Sequence, residues 1–537
     1  MAIKKIEDNT SKDSPYDICI IGSGPAGLTL ASELVGSNKK VCVLECGHVE
    51  KTNYVDSLKE VENHGDIFIK LSSRERIYGG TSTVWSGLSS PMDDIDFSSW
   101  PIKLKDLEKY YKKAHKYGFA KFEDFYEKLK QGNLRIDSSI LEEKVFIASD
   151  PPWDFGKKLR YIFDEPNMDL YLDVTVTDLA SNKKDNGKIN IENINVITSK
   201  GYKEKIYANT FVLTTGGIES VRLLLLSKDT SSNGLGNEND NVGRYIMNHP
   251  KGNFGSIKLN KPIKDSPNFF GYLHDGYAKY SGLRINENLQ KSLNIMNSYI
   301  RLEPIFPWTD TRGVSSFIGL IKRARTFLDW WKRRQKKIVN LRDWNETGDD
   351  KNVIVYNKKS NLLKEINIIL CDIKPVFNYI LHRLFSKKEI STKTIRLRNF
   401  MEMEPRKENR LVLGKKLDKN GKPLPQITLN ISELDKKSLI ELHKILGEEI
   451  KRNNIGILES SLEKVKEWPI KAEASHHIGG AIMGNSPETS VVDRNLKIHS
   501  VNNLYICSSA VFPTSGCANP TYTICALAIR LAEKLNI

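Results

Sequence analysis

The sequence predicts an α/β chain in which a parallel-sheet unit is interrupted by an α+β unit built on an antiparallel sheet. Three observations predict it. A mostly apolar run, Tyr16 to Ile21, leads directly into a Gly-rich turn and a helix-periodic stretch. A second strand–turn–helix pattern stands at Phe211 to Ser220. Between about Gly252 and Ile470 the texture changes to alternating runs and turn signals, and an apolar helical pattern returns after Asn519.

Taken in order, Tyr16-Asp17-Ile18-Cys19-Ile20-Ile21 reads as a parallel strand, because its apolar residues are continuous and mostly β-branched. Gly22-Ser23-Gly24-Pro25-Ala26-Gly27 follows at once, Leu28 to Val35 is helical in period, and Val41 to Leu44 makes a second strand ending at Glu45. This is the βαβ context of a dinucleotide site. Gly22 permits the tight turn, Gly24 lets backbone approach a pyrophosphate, and Gly27 allows helix to pack on strand. The helix N-terminus favours the pyrophosphate charge. Glu45 is placed to accept hydrogen bonds from a ribose. The motif alone does not separate FAD from NAD. The loop Gly79-Gly80-Thr81-Ser82 offers a close backbone approach and hydroxyls, and Thr215-Gly216-Gly217 closes the return strand.

Near the C-terminus Val491 to Asp493 and Leu504 to Cys507 read as short strands leading to Ser508-Ser509-Ala510. Asn519-Pro520 opens the last helix, and Asn at the cap with Pro next is a good helix start on backbone grounds alone. Asn519 therefore has two readings, a cap or an amide that holds a substrate hydroxyl. His476, just before the Gly479-Gly480 turn, suits removal of a hydroxyl proton, since an imidazole titrates near neutrality. His477 points elsewhere from an extended backbone.

The domains expected are 14–255, with loops around 70–110 covering the cofactor; 256–470, with a basic insertion at 320–393; and 471–537, returning to the first unit. The composition, 39% hydrophobic and 27% charged, fits a soluble globular protein. No eighteen-residue apolar run and no signal peptide are read, so a cytoplasmic protein is expected. The seven scattered cysteines read as reduced core residues, with no metal site. Net charge is +15. It reads either as a lysine-rich solvated surface or as a preference for anionic partners; no nucleic-acid reader motif accompanies it. Ile321 to Lys337 is basic with interleaved aromatics, and Ile366 to Phe385 is apolar. The pair reads as a peripheral anchor on an anionic membrane through 320–390, as a lid, or as an ordinary hairpin of surface helices.

The GSGPAG turn with Glu45, the Gly79–Ser82 loop, Trp100-Pro101-Ile102, Thr215–Gly217, Gly243 to Pro250, Glu402 to Pro405, the HHIGG turn and the ANPTYT helix together resemble the glucose-methanol-choline (GMC) oxidoreductase family. In motif they are similar to its pyranose-oxidase-like and bacterial sugar dehydrogenase members. The resemblance implies a Rossmann-like FAD-binding domain and a six-stranded substrate sheet. It implies His476 as catalytic base and Asn519 as its catalytic partner, with hydride passing from a sugar or polyol alcohol to flavin N5. The cofactor contacts it implies are Gly22, Gly24, Pro25, Ala26, Gly27, Glu45, Gly79, Gly80, Thr81, Ser82, Trp85, Val176, Gly216, Ser508, Ala510, Asn519, Pro520 and Thr521. Electrons would leave to oxygen, a quinone or a redox protein. Two positions depart from the family. Val84 stands where pyranose oxidases carry the histidine that binds flavin covalently, so non-covalent FAD is expected. Ser508 replaces an Asp that many members carry. A non-redox FAD lyase of the same fold and an alcohol- or sterol-type oxidase at a membrane surface stay open.

Overall fold

The structure is a computed structural model that describes residues 3–8, 11–184, 187–306, 308–309, 311–328, 362–384, 391–460, 462 and 475–536. A six-stranded, all-parallel sheet runs in the order Ile3–Lys4, Met168–Tyr171, Val41–Leu44, Tyr16–Ile21, Ala208–Leu213, Leu504–Ile506. Val41–Leu44 is buried throughout, as a strand covered on both faces must be. Helix Pro25–Glu33 starts with Gly24 as cap and Pro25 at its first position, and it packs on helix Pro520–Leu535. A Cβ on Gly27 would sit 1.9 Å from the Gly22 carbonyl oxygen, so only glycine lets this helix lie on its strand. Segments 22–24, 45–47, 214–216 and 507–509 all leave the sheet at the C-terminal ends of their strands. In parallel sheets that is the end where ligands bind.

The second sheet is antiparallel and has seven strands, where the resemblance implied six. Its path is Tyr272–His274, Tyr277–Ile285, Tyr299–Ile305, Thr392–Phe400, Lys251–Ile263, Gly456–Glu459, with Leu141–Ser149 paired to Tyr277–Ile285. The seventh strand thus comes from within the 14–255 segment. Alternation sorts its side chains. Ile300, Leu302, Ile395 and Leu397 share a core with Leu439, Leu442 and Leu446 of helix Glu433–Arg452. The opposite face carries a stack of aromatic rings, Phe146 on Tyr299 and Tyr299 on Phe400, at centroid distances of 4.4 and 4.5 Å. The hairpin Arg410–Leu417 and Pro423–Leu429 turns at Asn420-Gly421 and its second strand pairs in parallel with Glu62–Gly65. It therefore lies beside the first unit.

Two further expectations need correction. Val491 to Asp493 is no strand; Val492 makes only isolated bridges to Met483 and Ile498, because the segment is too short to ladder with either. Cys371 is exposed on a surface helix, whereas five of the other six cysteines are buried; all seven are free. The 320–393 region is described only in part. Helices Arg312–Leu328, Leu362–Cys371 and Ile373–Leu384 gather around Trp308, Val314, Val376 and Tyr379, and Pro375 sits in the first turn of the last helix. Leu363, Ile366, Leu370, Ile373 and Phe377 are exposed. Residues 329–361 and 385–390, with most of the basic run, lie outside the described residues. No helix among the described residues is long and apolar enough to cross a membrane.

Candidate active site

One cavity of about 470 Å³ runs from the first Gly-rich turn to the start of the last helix. Gly22, Gly24, Pro25, Ala26, Glu45, Gly80, Thr81, Trp85, Val176, Gly216, Ser508, Asn519, Pro520 and Thr521 line it, as do His476 and His477. Gly27, Gly79, Ser82 and Ala510 do not line it; they build its wall. The Gly79 amide donates to the Ser23 carbonyl at 3.1 Å, and Gly79 has φ +92°. Ser82 Oγ donates to the Gly79 carbonyl at 2.6 Å and accepts from Phe155 N at 3.1 Å. A Cβ on Gly80 would approach Gly24 Cα at 2.9 Å, so two backbones meet here on the cavity wall.

Glu45 is more occupied than its expected ribose role suggests. It is buried; Oε2 accepts from Ser23 N and Ser23 Oγ at 3.2 and 2.7 Å, and Oε1 accepts from Gly47 N at 2.9 Å. The carboxylate therefore braces the turn as well as lining the cavity. Ser508 Oγ accepts from Ala510 N at 3.2 Å inside its own turn and lines the cavity. Val84 lines the cavity and is half exposed, with no nucleophilic atom to offer.

The reacting end is built from three chain segments. Met247 and Ile478 form an antiparallel bridge that sets the Asn248-His249 and His476-His477 segments side by side. Buried Asn248 ties them, its Oδ1 accepting from both His249 N at 2.9 Å and His476 N at 3.1 Å. A Cβ on Gly479 would lie 2.0 Å from the Tyr245 carbonyl oxygen, which is why this pairing needs glycine. His477 diverges from His476 yet stays on the cavity wall, its Nε2 lying 3.2 Å from Ser73 Oγ.

His249 was not among the expected functional residues, and it defines the site. Its Nε2 lies 3.0 Å from the Ser515 carbonyl oxygen, and its Nδ1 lies 2.8 Å from His476 Nδ1. A carbonyl only accepts, so His249 Nε2 carries the proton. Burial pushes the His249 imidazole down to about 4, so it is neutral and its Nδ1 is an acceptor. His476 Nδ1 must then donate to it, which leaves the lone pair on His476 Nε2. Among the described residues Nε2 has no hydrogen-bond partner, and His476 lines the cavity. Burial first, then the neighbouring His249 and Lys251, hold His476 well below the ordinary imidazole value. The chain of bonds thus makes Nε2 of His476 a neutral, oriented base.

Asn519 is the cap residue of helix Pro520–Leu535, but its side chain makes no capping hydrogen bond. The cap role expected of its side chain is not observed. The amide is left on the cavity wall, and the N-terminus of a sixteen-residue helix opens beside it.

These residues fit a dinucleotide. A Cβ on Gly24 or Gly216 would meet nothing within 4 Å, so both glycines leave open cavity where a ligand can lie against backbone. The wall changes from the helix N-terminus at Gly24–Ala26 to the apolar Val174, Val176, Leu223 and Leu226, suited to a phosphate and a base respectively. Among the described residues no His, Cys, Asp and Glu cluster fits a metal ion.

Comparison with known proteins bears on the family and the fold. Residues 405–528 match the family model described as GMC oxidoreductase. The chain is 25% identical over 340 residues to the fructose dehydrogenase large subunit of Gluconobacter japonicus, covering 62% of this chain and 48% of that protein. It is 21% identical over 351 residues to 2-methyl-1,2-propanediol dehydrogenase of Mycolicibacterium austroafricanum, covering 63% and 50%. It thus spans about half the length of these curated relatives. The crystal structure of pyridoxine 4-oxidase from Mesorbium loti superposes with TM-score 0.55 at 13% identity, covering 97% of this chain and 99% of that one, which establishes the fold.

Proposed function

We propose that this chain, whose residues 405–528 match the GMC oxidoreductase family model, oxidises the CH–OH group of a sugar- or polyol-type alcohol with His476 as base and FAD as non-covalent cofactor. The observation that carries the reading is the Ser515–His249–His476 chain of hydrogen bonds, which leaves His476 Nε2 unprotonated on the cavity wall. Bound FAD would supply the hydride acceptor. Gly24, Pro25 and Ala26 at the helix N-terminus would hold its pyrophosphate, and Thr81, Trp85, Pro520 and Thr521 would flank its ring end. His476 Nε2 takes the hydroxyl proton as the C–H bond weakens. The Asn519 amide and the Pro520–Leu535 helix N-terminus then face the oxygen as it gains negative charge, and such fixed dipoles need no reorganisation. The names of the relatives, a fructose dehydrogenase subunit and a propanediol dehydrogenase, support an alcohol as substrate. Electrons would leave to oxygen, a quinone or a redox protein.

Anaerobic addition of sugars and polyols to the yellow holoenzyme tests this directly. Loss of flavin absorbance with at least one alcohol is expected. A flavin that stays oxidised with every alcohol, in an enzyme that still consumes one without oxidant, would favour the lyase reading instead. With Val84 where pyranose oxidases carry their flavin-linking histidine, acid or urea should release all the yellow colour from the protein; flavin retained on the denatured chain would refute the non-covalent assignment.

A further inference from the structure

The Ser515 carbonyl that ends the histidine chain is itself held from behind. Thr514 Oγ1 accepts from Trp100 Nε1 at 2.8 Å and donates to the Asp96 carbonyl at 2.7 Å. Ser515 Oγ accepts from Met403 N at 3.0 Å. Gly516 takes φ +56°, and a Cβ there would lie 2.6 Å from Asp96 Oδ2, so this carboxyl packs directly on the turn. The turn at 514–516 is thus fixed from the side away from His249.

One contact reaches the peptide that His249 touches. Glu402 Oε1 accepts from Gly516 N at 2.9 Å, and that N–H belongs to the same peptide unit as the Ser515 carbonyl. This peptide therefore donates to a carboxyl on one side and lies 3.0 Å from the donor His249 Nε2 on the other. Glu402 is 5% exposed and does not line the cavity. Its Oε2 accepts from Asn297 N at 2.6 Å, which fixes the carboxyl in place. Burial, then the neighbouring Asp96, push the Glu402 carboxyl up to about 8. Acid and carboxylate alike present a lone pair to Gly516 N, so the contact holds in either form.

We propose that Glu402 is a positioning residue of the reaction, holding and polarising the Ser515–Gly516 peptide so that His249, and through it His476, keeps the productive tautomer. The assignment rests on His476 being the base. Hydrogen bonds in a chain polarise one another, so a peptide that donates at its N–H accepts better at its carbonyl. The His249 proton is thereby kept on Nε2, and its Nδ1 stays an acceptor. The His476 proton then stays on Nδ1, and the lone pair on Nε2 faces the cavity. Without Glu402 the Gly516 N–H loses its acceptor, and the peptide can turn its carbonyl off His249.

The test compares Glu402→Leu, which removes the acceptor, with Glu402→Gln, whose amide oxygen can still accept from Gly516 N. Holoenzyme is used, and flavin reduction is followed anaerobically. Glu402→Leu should lower the limiting rate at least about fivefold, the lower end of what an unsatisfied buried donor costs. KM should change little, because Glu402 does not line the cavity. Glu402→Gln should recover most of the lost rate. A double-mutant cycle separates this role from a merely structural one. Placed in His249→Ala, Glu402→Leu should slow reduction less than about twofold further, since the link it acts through is already gone. Full additivity at normal FAD content, or Glu402→Leu alone within about twofold of the parent, overturns the proposal and leaves His476 as base. Glu402→Asp draws the acid back one methylene from Gly516 N; it replaces the leucine variant if that one does not fold, and the same outcomes decide. Should no alcohol reduce the flavin, the ring-nitrogen NMR shifts of histidine-labelled holoenzyme decide. Shifts of His249 and His476 that change in Glu402→Leu and return in Glu402→Gln support the peptide link while sinking the oxidation reading. Shifts that stay unchanged overturn the link itself.

Discussion

Replacing His249 with alanine isolates the relay from the base. The imidazole is 4% exposed and makes two bonds, to His476 Nδ1 at 2.8 Å and to the Ser515 carbonyl at 3.0 Å. Its loss leaves the His476 Nδ1 proton without its acceptor. An unsatisfied buried donor costs roughly 1–3 kcal/mol. At about 1.4 kcal/mol per tenfold, the productive tautomer and orientation of His476 are depopulated some 5- to 150-fold. The loss should appear in the limiting rate of anaerobic flavin reduction, with substrate affinity changed little, because His249 does not line the cavity. Water entering the vacated space should also raise the His476 pKa toward 6.5, moving the acid limb of the pH–rate profile upward. His249→Gln provides the control. Its amide oxygen can accept from His476 while its NH₂ donates to Ser515, the same order of donor and acceptor as the imidazole. Glutamine should therefore recover most of the rate that alanine loses. Flavin reduction by His249→Ala within about threefold of the parent, at unchanged FAD content, would refute the relay.

Four further outcomes are expected. His476→Ala should bind FAD normally yet slow substrate-driven bleaching by at least about a hundredfold, the usual scale for a general base; in the parent, whose His476 is held below 6.5, the rate should stay flat as pH falls from 8 toward 6.5 and drop only at lower pH, as protonation takes the base away. Asn519→Ala should cost little in Tm, since the side chain makes no capping bond, while slowing reduction about tenfold or more; a large Tm loss with normal reduction would reverse the assignment. Gly80→Ala combines a left-handed backbone with a 2.9 Å approach to Gly24 Cα, and should lower the 450 nm to 280 nm absorbance ratio of the purified protein through lost FAD. The exposed apolar residues Leu363, Ile366, Leu370, Ile373 and Phe377 are expected to bring the protein down with anionic liposomes at low salt, and Leu370→Glu with Phe377→Glu should leave it in the supernatant.

The parts legible in the sequence are those whose signal is local. The strand at Tyr16–Ile21, the turn at Gly22–Gly27 and the strand at Val41–Leu44 each announce themselves within a few residues, because burial on both faces and close backbone packing restrict residue type on the spot. His476 was legible for the same reason, standing before a Gly-Gly turn. What stayed hidden depends on contacts between distant segments. The partner of His476 is 227 residues away, and Asn-His-Pro at 248–250 has no local feature that distinguishes a relay histidine from a structural one. The strand Leu141–Ser149 falls inside the expected 14–255 segment, and nothing within it says that its ladder partner is Tyr277–Ile285.

Asn519 shows the converse, a local rule that was right about position and wrong about the bond. Asn before Pro does open the helix, yet the side chain turns to the cavity wall and leaves the cap unmade. A capping bond in this position is ordinarily worth about 1 kcal/mol to a helix. This helix can forgo it because Tyr522, Cys525, Ala526, Ile529 and their neighbours are buried against the first helix and its surroundings, and packing of that extent outweighs one cap. On the proposed function the amide is what meets the substrate oxygen, and it stands at the positive end of the same helix whose burial made the cap dispensable.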